Sequence, residues 1–590
     1  MYIAVYSSGP MVVLQCLDAQ GVLGERSLIT AADLAAAVAE REPQHPRWVW
    51  DDTTRWYPAL LAAQVRVERC VDLRLSHAIL RRSSLTSEST LATAATSSWD
   101  SGALPAAFAT AERASAQQTL FDFDDARSAA LPPHEPGADA SHSNTSAQLP
   151  LHLQAEDTLA EFERQREAVA SAVNPARIGL LLAAESAGAL IAAEMKAAGL
   201  PWSEDVHDGI LRCALGPRPT TGHRPALLEA KLAELRTALN APTLNPDSPA
   251  ELLRALMVAG LMVKSTRSGE LRTLTHPAIE PLLRYKKLAR LFSASGWNWL
   301  DANVSAGRFH PEYVPGGVVT GRWSSAGGGG ALQLPKHIRS AVVADAGWQL
   351  VVADAAQLEP RILAALSGDR NMAEAGTDRD LYAGIVSSGA VETRDQAKVA
   401  MLGAMYGATS GESGRLMPRL ARAFPQAIAL VEAAARAGEL GESVTTRLGR
   451  SSPKPGHPWR HELAQGPAQS YDETATDADA NRARTAARSW GRFTRNFVVQ
   501  GSAAEWALCW MASLRRALHE LNAGQWLTES AHLVFFMHDE VVVHCPAAMV
   551  APVERAVRQA AVEAGRLMFG DAPVTFPLTI AVVDNYGQAK

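Results

Sequence analysis

Two rhythms of apolar and polar residues run along this chain, and the change from one to the other divides it. The chain opens on short apolar runs, residues 2–6 and 11–17, of the length expected for buried strands. Alanine-rich stretches with helical spacing follow, so residues 1–83 are predicted to form a small α/β unit. From 84 to 150 the rhythm is lost. This segment is rich in Ser, Ala, Thr, Pro and His and poor in large apolar groups. Such a composition cannot bury enough surface to offset its ordering entropy, so a flexible linker is expected. From 151 onward apolar residues recur at helical spacing, punctuated by Pro and Gly. Strand-type runs return near 341–354 and 533–545, and no internal repeat is evident. The expected class is α+β with several domains.

Three stretches combine a structural signal with charge. In QLVVADAAQLEPRILAALSGD (349–369), Leu350, Val351 and Val352 form a buried-type strand that delivers Asp354 at its end. Pro360 suits the first turn of the next helix, Leu363 and Leu366 give it a core face, and Gly368 suits its C-cap. An acid there points into open space above a sheet, although most such aspartates are N-caps or turn residues. In LVFFMHDEVVVHCP (533–546), two apolar runs flank His538, Asp539 and Glu540. A tight hairpin usually prefers Gly or Asn, so two adjacent acids at this turn are atypical; the bland alternative is a solvated polar turn. In TRDQAKVAMLGAMYG (393–407), Thr393 and Gln396 have capping-box spacing, and Arg394, Lys398, Leu402 and Tyr406 recur every fourth residue. Cations in the first turns oppose the helix dipole, which suits an anionic ligand such as a triphosphate better than it suits stability. A solvated basic face is the competing reading.

Composition changes this picture little. Of the 590 residues, 47% are hydrophobic and 20% charged, which is ordinary for a soluble globular protein. The net charge of −6 does not announce a nucleic-acid partner, so any DNA contact requires basic residues gathered in a groove. Cys16, Cys70, Cys213, Cys509 and Cys545 are odd in number and scattered, which argues against a disulfide framework and against a zinc site. The N-terminus lacks a signal-peptide pattern, and no apolar stretch of membrane-spanning length stands out. A cytoplasmic, monomeric protein without a membrane is expected.

Taken together and in order, these stretches resemble the three polymerase motifs of family A, the DNA polymerase I type. The first is similar to the family's D-Y-S-Q-I-E-x-R element at Asp354, Gln357, Glu359 and Arg361. The helix 393–407 is similar to R-x-x-x-K-x-x-x-F-G-x-x-Y-G at Arg394, Lys398, Gly403, Tyr406 and Gly407. The His-Asp-Glu turn matches at His538, Asp539 and Glu540. GRFHPEY and VTGRWSS, then Gln333 and Arg339, and the segment RNFVVQGSAAEW (495–506), agree in register with further family elements.

The resemblance covers about residues 155–590 and implies a right-hand fold of palm, fingers and thumb. Residues 151–305 would form the thumb and start of the palm, 306–369 and 461–590 the palm, and 370–460 the fingers. Asp354 and Asp539, with the backbone of Ala355, would hold two Mg2+ or Mn2+ ions, and Glu540 would be a supporting acid. Arg394 and Lys398 would bind the dNTP triphosphate, with Lys398 placed to protonate pyrophosphate; Gln357 would join that nucleotide site. Glu359 and Tyr406 would form the wall that excludes a 2′-hydroxyl. Arg322, Gln333, Arg339, Arg361, Asn496, Gln500 and His538 would contact primer-template DNA. Departures from the pattern are also present. Ala355 and Ala356 replace Tyr-Ser, Leu402 stands where the family has Phe or Tyr, Tyr382 replaces a phosphate-contacting His, and Phe536 and Met537 precede His538. None removes a metal ligand; altered sugar discrimination or fidelity is expected.

The unit 1–83 occupies the position of the family's 3′–5′ exonuclease. Asp51 or Asp52, with Asp72, echoes two of its acids, but the opening strand YIAVYSSG has no Asp-x-Glu and the final Tyr-x-x-x-Asp element is not found. An inactive, degenerate domain is expected, the alternative being a residual exonuclease, and no room is seen for a 5′ nuclease domain. Three other classes are disfavoured: a pure nuclease, a non-catalytic DNA binder and a single-subunit RNA polymerase, the last because Glu359 resembles a steric gate. Within the linker, Gln117-Gln118-Thr119-Leu120-Phe121 resembles the Gln-x-x-Leu-Phe peptides that bind the sliding clamp.

Overall fold

The computed structural model describes residues 1–100, 155–220, 222–326, 334–377, 380–407, 411–456, 477–522 and 524–589. Gln333 and the clamp-type peptide Gln117–Phe121 lie outside these residues.

The N-terminal unit is a five-stranded sheet in the order Leu23–Thr30, Met11–Leu17, Tyr2–Ser8, Arg47–Trp50, Cys70–Asp72. The first three strands are antiparallel, and the last two run parallel to Tyr2–Ser8 through helical crossovers. Strand Leu23–Thr30 is not among the predicted runs. It is the exposed edge of the sheet, with Leu23 and Leu28 open to solvent beside Glu25 and Arg26, so it lacks a buried apolar stretch. One face of the sheet is closed by helix Ala155–Ala170, whose Phe162 meets Tyr2 edge-on at 5.2 Å. That helix therefore packs as part of the N-terminal unit rather than of the thumb.

The segment from 84 to 100 is also structured, contrary to a linker starting at 84. Ser83 donates to the Gly449 carbonyl, the Ser84 amide donates to Ser451, and Leu91 and Trp99 are buried. A few well-placed side chains suffice here because the partner surface supplies the rest of the apolar contact.

The other face of the sheet rests on helix Pro175–Ala198, with Trp48, Trp50, Tyr57 and Leu190 in one cluster. This helix is long and apolar enough to cross a membrane, with mean hydropathy 1.6, which corrects the expectation that no such stretch exists. Its apolarity has another cause: 67% of the window is buried, between the N-terminal sheet and the C-terminal body of the chain. At its end, buried Glu194 accepts from Tyr57 Oη at 2.6 Å, Arg66 Nε at 2.9 Å and Arg515 Nη2 at 2.6 Å. Burial alone would push this carboxyl up, but Arg515 and Arg66 hold it well below the usual carboxylate range. Arg515 also donates to the carbonyls of Val67 and Glu68.

The palm is a four-stranded antiparallel sheet in the order His532–Met537, Glu540–Pro546, Trp348–Ala355, Leu578–Val583. Helix Val550–Phe569 and the 45-residue helix Asp477–Leu521 cover it. Leu578–Val583 is an unpredicted edge strand, short and only partly buried. The range 370–460, expected as fingers, holds helices Arg370–Ala375, Leu381–Ser387, Arg394–Tyr406, Gly411–Ala423 and Pro425–Glu439 among the described residues. Predicted boundaries hold here: Thr393 caps Arg394–Tyr406 through the Gln396 amide at 3.2 Å, and Gly368 ends Leu358–Ser367 in the left-handed region.

Candidate active site

Strand pairing brings the two palm aspartates together. In the ladder Asp354 faces Glu540, and the Ala355 amide donates to the Asp539 carbonyl at 2.9 Å. His538 and Asp539 are the two residues of the hairpin turn, closed by the pair Met537–Glu540. His538 has φ 60°, a left-handed conformation that favours glycine. Strain of this kind persists where the surroundings over-determine it, here two apolar strands locked into one sheet.

The site's electrostatics follow from this proximity. Burial, then the neighbouring Asp354 carboxylate, push Asp539 up to about 7; His538 and Arg322 pull the other way and Glu359 adds to the rise. Two hard carboxylates held against each other are a donor set that fits a divalent cation, which would relieve their repulsion. Among the described residues there is no group of three or more metal-type side chains, so the cation site would rest on these two acids with backbone or substrate oxygens.

A cleft of about 570 Å³ opens beside them, lined by Arg322, Glu359, Tyr382, Leu402, His538 and Asp539 among others. Glu359 is fixed from two sides: Tyr406 Oη donates to it at 2.8 Å, and Arg322 Nη2 at 2.5 Å. Leu402 contributes an aliphatic wall. Arg394 and Lys398 lie exposed along the fingers helix, with the Arg394 guanidinium 5.5 Å above the Tyr382 ring. Asn496 and Gln500 sit one turn apart and half-buried on the long helix, just before Ala503 and Ala504 at the cleft.

Three expected site residues, Arg361, Arg339 and Glu540, are buried away from the cleft. Arg361 is fully buried, and burial lowers it to about 10; it donates to the carbonyls of Ala356, Gly376 and Thr575, and so braces the sheet's edge from inside. Arg339 is buried too, 4.8 Å over the Tyr586 ring and 3.8 Å from Glu540. Glu540 is only 1% exposed and accepts from Tyr586 Oη, which makes it a support of the turn. Gln357 does line the cleft, with both ends of its amide engaged: it donates to Asp380 at 2.8 Å and accepts from the Leu381 amide at 2.8 Å. Asp380 itself was missed by the sequence reading. Its signal was an acid just before a helix and fourteen residues ahead of Arg394.

The N-terminal acids differ. Asp51 accepts from Trp56 at 2.5 Å and Arg55 at 2.7 Å. Asp52 caps its helix through Thr54 and pairs with Arg74 at 3.1 Å. Asp72 caps the next helix through Leu75 and accepts from the Thr53 amide at 2.8 Å.

A four-stranded sheet carrying paired aspartates, beside a helix with two exposed cations, fits the palm and fingers of a right-hand polymerase fold. The chain belongs to DNA polymerase family A, whose model matches residues 224–588. It is similar to the thermostable DNA polymerase I of Thermus thermophilus, at 29% identity over 349 residues, covering 54% of this chain and 37% of the relative. DNA polymerase I of Chloroflexus aurantiacus is 28% identical over 343 residues, covering 53% of this chain and 33% of the relative. The matched region thus spans little more than a third of these relatives. Among solved structures, the POL domain of Pol1 from M. smegmatis, in complex with DNA primer-template and dNTP, superimposes with a TM-score of 0.64 at 20% identity. That match covers 100% of this chain and 96% of the other, and shows the shared fold.

Proposed function

We propose that this chain is a template-directed DNA polymerase that adds dNTPs to a primer 3′ end. The observation that carries this reading is the juxtaposition of Asp354 with Asp539, which lines a cleft together with Glu359 and Leu402. Asp354 and Asp539, with the Ala355 backbone, would hold Mg2+ or Mn2+. Two such ions supply activation of the primer 3′-hydroxyl and stabilisation of the leaving pyrophosphate. Arg394 and Lys398 orient the triphosphate, and the Lys398 ammonium can give its proton to the departing pyrophosphate oxygen. Glu359, held by Tyr406 and Arg322 in the cleft wall, would exclude a ribose 2′-hydroxyl. Arg322, Asn496, Gln500 and His538 face the primer-template.

The N-terminal unit is proposed to have no proofreading activity, because Asp51, Asp52 and Asp72 are engaged in capping and ion pairs. The protein would act in bacterial DNA repair or replication, as a cytoplasmic monomer, with Gln117–Phe121 as a candidate tether to the sliding clamp. A primer-extension assay tests the reading: dNTP-dependent, template-directed extension with Mg2+ or Mn2+ is expected. Extension with rNTPs alone, or none with any nucleotide, would overturn it.

A further inference from the structure

The two cations of the fingers helix stand in different states. Lys398 is exposed and has no carboxylate partner among the described residues. Arg394 is already held: its Nε donates to Asp380 Oδ2 at 2.6 Å. The other oxygen of Asp380 accepts from the amides of Tyr382 at 3.0 Å and Ala383 at 3.3 Å, and from Gln357 Nε2 at 2.8 Å. One carboxylate therefore links the palm, three residues after Asp354, to the fingers and to the triphosphate cation. Partial burial opposes its ionisation, but the Arg394 contact and the Ala383 amide outweigh burial and hold it below the usual carboxylate range. Its hydrogen bond in turn raises Arg394. At neutral pH a fixed negative charge thus lies against the cation that an incoming nucleotide would use.

We propose that Asp380 is a positioning residue that sets affinity for the triphosphate by competing for Arg394. This inference rests on the polymerase reading above. A guanidinium offers five N–H groups in a rigid fork, and Asp380 takes the Nε edge. An arriving anion meets the repulsion of Asp380 unless it displaces that carboxylate. A triphosphate that also reaches Lys398 has charge enough to do so; a single phosphate or pyrophosphate has less. Asp380 therefore weakens all anions and discriminates for the longest, and it retakes Arg394 as pyrophosphate leaves.

The test uses the full chain with Asp380→Asn. Asparagine is as good an N-cap as aspartate, so helix Leu381–Ser387 keeps its cap while the charge goes. Titration calorimetry with tripolyphosphate, without DNA, should show binding about three- to fivefold tighter, the scale of one partly exposed ion pair. Pyrophosphate should inhibit extension at correspondingly lower concentration, and the KM for dNTP should fall without a rise in kcat. Asp380→Ser, a second neutral cap, should reproduce the gain. In an Arg394→Ala background the same substitution should change tripolyphosphate affinity little, because the competition needs Arg394. Unchanged or weaker tripolyphosphate binding in both neutral variants would overturn the proposal. So would an equal gain without Arg394, which would make Asp380 a diffuse field only. If the unaltered chain extends no primer, the polymerase reading falls while the titration still decides the competition.

Discussion

Asp539 in the palm and Asp72 in the N-terminal unit are both buried carboxyls pushed up to about 7, in each case by burial first and a neighbouring aspartate second. Their surroundings separate them. Asp72 accepts two backbone amides, and its neighbours Asp51 and Asp52 are held by Trp56, Arg55, Thr54 and Arg74. Asp539 lies in a strained hairpin turn against Asp354, where the charge of one acid raises the energy of the other. In one region neighbouring groups answer the acids; in the other Asp539 lines a cleft. A shifted carboxyl is thus evidence of a reactive site only when its partners do not already form a closed structural set.

The largest test of this contrast lies in the palm. Asp354→Ala or Asp539→Ala should reduce primer extension at least about a thousandfold while leaving primer-template binding near normal. Near-normal extension by either variant would remove the metal assignment, and Glu540→Ala, whose partner is Tyr586, should be milder. Next in size is sugar selection. Glu359→Ala should raise ribonucleotide incorporation about tenfold or more, read by competition between dNTP and rNTP. Unchanged discrimination would show that the wall lies elsewhere.

The N-terminal tests should move stability and not chemistry. Asp51→Ala should leave extension unaltered but cost roughly 2–3 kcal/mol in denaturant unfolding, because Trp56 and Arg55 lose their buried acceptor. The intact chain should show no metal-dependent trimming of a mismatched 3′ end. Trimming that survives Asp354→Ala and is lost with Asp52→Ala and Asp72→Ala would erase the contrast. The last test is in pH dependence. A carboxyl whose pKa rises on folding stabilises the fold most at low pH, and that contribution is lost as pH climbs from about 4 to about 7. Asp72→Asn keeps the cap and should flatten unfolding free energy across that window; an unchanged slope would refute the shift.

The chemistry was legible in the sequence wherever local pattern and side-chain destination coincide. Leu350, Val351 and Val352 announce a strand, and Asp354 can only emerge at its end. The apolar runs around His538-Asp539 force a hairpin, and Thr393 with Gln396 marks a helix start. Direction was not legible where tertiary contacts decide it. Arg361 sits two residues from Glu359, yet the carbonyls that draw it inward come from as far away as Thr575. Gln357 does line the cleft, but that Asp380 already holds its amide shows only in the fold. Edge strands such as Leu578–Val583 fail for a related reason, since their exposed side imposes no apolar pattern.

The Glu194 junction bears on how this protein can be cut. A shortened version lacking residues 1–100 would strip Tyr57 and Arg66 from the carboxylate and leave Arg515 as its sole described partner. It would also open to water the helix face around Leu190, which the tryptophans Trp48 and Trp50 now cover. Trimming away the N-terminal unit would therefore yield a fragment prone to aggregation. Its inheritance alongside the palm needs no catalytic justification: the interior of one is the outer wall of the other.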